Sequence, residues 1–190
     1  MKIISFRRVF AFLLALLLIF SLVPTVEALS PHRPRKFPAP PPLPYTDAEL
    51  NIFANIVNGE VGGITGKVTV TYADGTVVKA DGKTLRQIHA RVVHNQVRSS
   101  LFPDTVQRCA ALYWSRRYAD TAWRSSKQWK SCREDAVFAL LGYEDVPDNV
   151  FAATCDPYFS DRYPVYSLWA KVQWDTGWVG GTFYYYAYTP

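Results

Sequence analysis

Glu60 closes the run Ile56-Val57-Asn58-Gly59-Glu60 and stands just past the end of a strongly signalled helix. A carboxyl held rigidly in such a place is the kind of group that protonates a leaving glycosidic oxygen. Position alone speaks more for an ordinary surface acid, because most glutamates are exposed. A glycosidase that works through two carboxylates needs a partner acid, and the distance between the two sets the stereochemistry. Asp74, Asp156, Asp161 and Asp175 are the candidates, and each also reads as a turn residue. A lytic transglycosylase needs only one acid/base, since the sugar's own C6 hydroxyl closes onto C1. The lack of a second acid in a recognisable motif leans toward that chemistry.

Sugar rings present apolar C–H faces that stack on Trp and Tyr, whose polar tips bind hydroxyls. Between Tyr158 and Tyr188, 12 of 31 residues are aromatic, far more than a strand needs for its core face. Trp114, Tyr118, Tyr158, Trp174 and Tyr184 are the candidate glycan-binding residues, and most of the remaining rings read as aromatic β-strand core. Metal chemistry is not expected, nor any other cofactor. His32 lies outside the domain, and His89 and His94, five residues apart, point roughly 140° apart on a helix. The chain has no H-x-x-x-H pair and no C-x-x-C.

Cys132 reads as sitting at a helix N-terminus, where a thiol pKa falls. Both domain histidines precede it, however, the reverse of the papain-like order, and a structural role is the stronger reading. Three cysteines in an exported chain imply one disulfide and one odd thiol. Cys109 and Cys132 are the candidate pair because both are read at helix ends, with Cys155 left over.

Export is read from the first 28 residues. Lys2, Arg7 and Arg8 precede an apolar stretch over residues 9–23, and Val26-Glu27-Ala28 supplies a cleavage pattern. The apolar stretch is short for a membrane span, so no stable span is expected after cleavage. Residues 29–44 hold seven of the chain's 13 prolines and read as an extended spacer. Residues 45–190 form one domain, expected to act as a monomer outside the cell or in a periplasm. The pI of 9.1 invites a nucleic-acid partner. Yet Lys2, Arg7, Arg8, Arg33, Arg35 and Lys36 all precede the domain, which keeps 15 basic and 15 acidic residues. No nucleic acid is expected. A basic stripe from Arg86 to Arg133 remains, suited to a polyanion or simply to a solvated helix face.

The elements that must position these residues are an α+β set: helices first, then a small antiparallel sheet. Thr46-Asp47-Ala48-Glu49 is a capping box for a helix over residues 47–58, with Gly59 as its stop. Residues 67–72 and 76–79 pair around a two-residue Asp74-Gly75 turn. Further boxes start helices at Thr84 and Ser131, and Pro103-Asp104 starts another through Tyr113. Gly142 ends the last helix. Residues 150–154 and 182–188 read as strands, with turns at Thr176-Gly177 and Gly180-Gly181.

Asn58-Gly59-Glu60 resembles the acid motif of the spore-cortex-lytic (SleB-like) family of cell wall hydrolases. Val93-His94-Asn95-Gln96-Val97-Arg98-Ser99-Ser100 followed by Phe102-Pro103-Asp104-Thr105-Val106 is similar to that family's helix and Phe-Pro turn. Cys132-Arg133-Glu134 with Ala136, Ala139-Leu140-Leu141-Gly142 and Gly181-Thr182-Phe183-Tyr184 resemble its later helix and closing strand, in the same order. The resemblance covers about residues 50–186. It implies a lysozyme-like domain, a helical lobe plus a small antiparallel sheet, that cleaves peptidoglycan glycan strands. Glu60 would be the catalyst of a lytic transglycosylase or muramidase. The chain departs from the family after Glu60, where Val61-Gly62-Gly63 replaces a segment with an Arg and a second acid. It also carries Arg117-Tyr118 where the family has Gln-Phe, and the 67–79 hairpin reads as an insertion. These departures leave open a cell-wall-binding module without catalysis.

Overall fold

A computed structural model describes residues 43–119, 126–143, 145–175 and 180–190. The leader, most of the proline-rich spacer and the Thr176-Gly177 turn lie outside the described residues.

Helix α1 (Asp47–Glu60) is the centre of the helical part. Its capping box forms as read: the Thr46 hydroxyl accepts from the Glu49 N–H at 3.3 Å, and the Glu49 carboxylate accepts from the Thr46 N–H at 2.8 Å. Leu50, Ile52, Phe53, Ala54, Ile56 and Val57 are all buried. A helix apolar on more than one face must be enclosed. α1 accordingly packs against α2 (Gly82–Arg98), α3 (Val106–Cys109), α4 (Arg116–Ala119) and α5 (Lys127–Phe138). It also runs through Gly59 to Glu60, with the Val61 N–H still bonded to the Val57 carbonyl at 3.0 Å. Gly59 is therefore not the stop, and Glu60 belongs to the last helical turn.

The other helix starts differ from the sequence reading. Asp81, not Thr84, caps α2 by accepting from the Thr84 N–H. Thr105 caps α3, and Ser126 caps α5 by accepting from the Trp129 N–H at 3.0 Å. The pattern Ser131-x-x-Glu134 lies inside α5. A Ser/Thr-x-x-Glu/Gln spacing is also what a helical surface presents, so the cap goes to the polar oxygen that meets the free N–H groups where the buried stripe begins. α3 and α5 each continue into a π-helical turn, Ala110–Trp114 and Ala139–Tyr143, the second containing Gly142 at φ 86°.

Strands β1 (Lys67–Tyr72), β2 (Val77–Asp81), β3 (Val150–Thr154), β4 (Tyr166–Asp175) and β5 (Gly180–Tyr188) form one antiparallel sheet in the order β2-β1-β4-β5-β3. The fold is thus α+β. The early hairpin is part of the sheet rather than an appendage, because Val70 pairs with Val172 of β4. β4 had no clear signal in the sequence: a bulge between Leu168 and Ala170 breaks its alternation. Gly180-Gly181 opens β5 instead of forming a turn. The first hairpin turn is longer than two residues. The Gly75 N–H bonds to the Tyr72 carbonyl, and Gly75 (φ 88°) takes positive φ while Asp74 does not.

Val68, Val70, Ala170, Val172, Phe183 and Tyr185 join Leu85, Ile88 and Val92 of α2 in one core. His89 is buried among them, its Nδ1 2.5 Å from the Tyr185 hydroxyl. At the end of α2, the Asn95 amide donates to the carbonyls of Pro147 and Val150, and the Gln96 amide donates to Phe151. These bonds fasten α2 to β3. Four residues of the basic stripe form ion pairs: Arg86 with Asp135, Arg91 with Asp148, Arg108 with Asp104 and Arg133 with Asp47. No helix among the described residues is long and apolar enough to cross a membrane.

Burial pushes the His89 pKa down to about 3, and burial with Arg91 and Arg98 pushes His94 down to about 4. Both sit below the unfolded value, so the unfolded chain binds more protons and stability falls as pH falls. Melting temperature should be flat above pH 7 and drop steadily from about pH 6.5 toward pH 4. A constant melting temperature across that window would contradict the burial of both imidazoles.

Candidate active site at the end of helix α1

Gly59 decides how Glu60 is held. A Cβ at this position would lie 2.3 Å from Cε1 and 2.4 Å from the hydroxyl of Tyr118, closer than real contacts allow. Without it, the Tyr118 ring lies against the last turn of α1, only 1 % exposed. The Tyr118 hydroxyl donates to Glu60 Oε1 at 2.8 Å and accepts from Arg117 Nη2 at 3.1 Å. Arg117 also lies over the Tyr118 ring, 5.1 Å from its centroid. Glu60 itself is half-buried, and Oε2 has no hydrogen-bond partner among the described residues. Oε1 is thereby tied to the scaffold.

α4 is short and would not hold Tyr118 unaided. Asn55, one turn before Gly59, donates its amide to the Tyr118 carbonyl at 2.8 Å and accepts from Trp129 Nε1 of α5 at 2.8 Å. Both ends of a buried amide are satisfied, which fixes α4 and α5 to α1. Burial raises the Tyr118 pKa, the Arg117 bond opposes this, and the Glu60 bond reinforces it. The phenol therefore stays a donor. Arg117 is held more basic by its bond to Tyr118 and, less strongly, by the Glu60 carboxylate.

The cysteine readings change. Cys109 and Cys132 are free and buried, and they face different partners: Cys109 Sγ lies 3.4 Å from Gln96 Oε1, Cys132 Sγ 3.9 Å from Asn58 Oδ1. The pairing was read from apparent helix ends, but Cys132 lies well inside α5. Burial pushes its thiol up to about 11, the opposite of nucleophile activation, and pushes Cys109 up to about 12. Cys155 is exposed. Its thiol is raised first by burial and then by the Glu60 carboxylate.

The five candidate glycan-binding residues do not converge. Tyr118 is a buried holder of Glu60 rather than a stacking platform. Trp114 is half-buried, donates Nε1 to Gln96 Oε1 at 2.8 Å and lines an aromatic cavity of about 420 Å³ with Phe102, Tyr113, Phe151 and Tyr166. Trp174 stacks on Phe183 with centroids 5.2 Å apart and covers Gly181, where a Cβ would fall 2.4 Å from its ring. Tyr158 is 65 % exposed after β3, and Tyr184 is half-buried on β5 opposite Thr154. A large cleft, about 1160 Å³ between Lys67, Lys79, Trp174 and Gly180, does not include Glu60. Size alone would nominate that cleft, whereas the ordered acid nominates the end of α1. We follow the acid, because that is where a reactive group is held by a side-chain hydrogen bond.

Of the candidate second acids, Asp74 accepts from the Thr76 N–H in the hairpin turn, and Asp156 pairs with Arg162 and accepts from the Tyr158 N–H. Asp161 lies on α6 (Phe159–Arg162), and Asp175 ends β4 at the large cleft. Among the described residues no group of three or more His, Cys, Asp or Glu is placed to hold a metal ion. Sequence reasoning missed Arg117. No spacing rule could have found it, since its link to Glu60 runs through a contact between residues 58 positions apart.

Compared with known proteins, the chain matches no family model, no curated protein and no solved structure.

Replacing a helical Gly by Ala ordinarily gains about 1 kcal/mol of propensity. At Gly59 the clash with Tyr118 should outweigh it, so Gly59→Ala is expected to destabilise the protein by about 1–3 kcal/mol in chemical denaturation. A stabilised Gly59→Ala protein would remove the close approach as the reason for this glycine.

Proposed function

We propose that this is an exported enzyme that cleaves the glycan strands of peptidoglycan, with Glu60 as its general acid/base. The observation that carries the reading is half-buried Glu60 at the end of a buried helix, with Oε1 fixed by Tyr118. The ordered sequence resemblance to spore-cortex-lytic cell wall hydrolases supports the same substrate, and a lysozyme-like arrangement of helical lobe and sheet is part of the reading. The leader and spacer read from residues 1–44 fit a protein sent to the cell wall or periplasm.

The chemistry needs one proton carrier. Protonated Glu60 gives its proton to the glycosidic oxygen as the C1–O bond breaks. The resulting carboxylate then takes the proton of the C6 hydroxyl as that oxygen bonds to C1, leaving a 1,6-anhydro end and Glu60 protonated again. If water attacks instead, the product is a reducing end. Asp156 is engaged by Arg162, which favours the single-acid route. Tyr118 acts as a positioning residue, orienting the carboxyl through its hydroxyl.

A second reading, a cell-wall-binding module without catalysis, is favoured by the absence of Glu60 from the lining of the large cleft. Purified sacculi decide between them. Wild type should release muropeptides, and Glu60→Gln should release none while keeping its melting temperature. Tyr118→Phe should lower kcat about tenfold or more with little change in KM, as loss of an orienting bond does. Full activity in Glu60→Gln would sink the proposal. Binding to sacculi without release by any form would establish the second reading.

A further inference from the structure

A second pocket adjoins the end of α1 and shares no residue with the Glu60–Tyr118–Arg117 group. Gly62, Thr65, Arg86, Lys127, Gln128 and Ser131 line a space of about 350 Å³. Gly62 is two residues beyond Glu60, so their Cα atoms lie within about 7.6 Å of each other, twice the trans Cα spacing. A Cβ on Gly62 would sit 2.7 Å from Gln128 Nε2 and 2.6 Å from the Asn58 carbonyl oxygen, so the bare backbone forms this wall.

The lining, which also includes Cys132, holds two cations, two hydroxyls, a carboxamide and a thiol, and no carboxylate. Arg86 is anchored: Nε bonds to Asp135 Oδ2 at 2.6 Å and Nη1 to the Ile64 carbonyl at 3.1 Å. Its Nη2 makes no hydrogen bond among the described residues. Asp135, 7 % exposed, pairs with Arg86 and offsets its charge. Lys127 is exposed and makes no ion pair among the described residues. The pocket therefore presents one unpaired cation, Lys127, and hydrogen-bond donors to an incoming group of amino-acid size, one short step from the acid.

We propose that this pocket receives a carboxylate of the peptide stem carried by the sugar whose C1 reacts. The inference rests on the peptidoglycan reading for its ligand and extends that reading to the part of the substrate that identifies it. The N-acetylated sugars are neutral and offer these cations nothing. The stem is joined to the same ring as the scissile bond and supplies a carboxylate at the reach of this pocket. A partly exposed lysine and arginine facing one carboxylate should favour it over a neutral amide by about three- to tenfold, less at high salt.

Binding can be read apart from turnover. The full chain carrying Glu60→Gln is titrated with an N-acetylmuramoyl dipeptide bearing a free carboxylate, and with the same compound amidated there. The acid is expected to bind about three- to tenfold tighter than the amide. Adding Lys127→Ala should reduce that preference and adding Lys127→Glu should abolish it. Exposed Lys130 of the same helix does not line the pocket, and Lys130→Glu should preserve the preference. Equal affinity for the two compounds, no measurable binding of either, or a preference that survives Lys127→Glu overturns the proposal. Failure of the catalytic reading shows differently: wild type would then leave sacculi intact while the carboxylate preference persists.

Discussion

A missing side chain at Gly59 allows an aromatic ring to lie against the last turn of a buried helix, and the arrangement around Glu60 depends on that contact. Tyr118 fills the space and carries its hydroxyl to the carboxyl, while Arg117 follows it and answers the charge. The contact survives because Asn55 holds the Tyr118 backbone from one side and the Trp129 indole from the other. α1, α4 and α5 are locked together one turn before the acid. A carboxyl on a helix terminus would otherwise sample several rotamers, and a general acid that wanders loses most of its advantage.

The same economy of buried amides organises the sheet side. Asn95 and Gln96 occupy carbonyls on and before β3, and Gln96 Oε1 also receives Trp114. Tyr186 donates to the carbonyls of Asp156 and Pro157, which pins the turn that follows Cys155. Through these bonds β3 and the turn after it are fixed to α2 and β5. The Asn95-Gln96 pair, met in the sequence as part of a motif, thus has a structural job: satisfying loop and strand carbonyls that burial would leave bare.

Much of the helical part was legible in the sequence because its signals are local. The Thr46 box, the α1 stripe and the end of α5 near Gly142 rest on neighbours three or four residues apart. The cap positions at Asp81, Thr105 and Ser126 were not legible to the same degree, since several polar oxygens competed and the position of the core decided among them. β4 was hidden by its bulge, and the β1–β2 hairpin gave no hint that its partner lay about a hundred residues later. Strand pairing between distant segments leaves only a period of two in each, and any interruption erases it.

The sequence by itself determined that an acid would ride at the end of a buried helix, because a capping box and an apolar stripe specify that helix locally. It also determined that glycine precedes the acid, but not why. Only the tertiary structure decided that Tyr118 occupies the glycine's empty side, that Arg117 joins it, and that Cys109 and Cys132 stay apart. The reason is the same in each case. These relations are distances between segments that the chain brings together only once the core is packed, and no local spacing encodes which side chain arrives there.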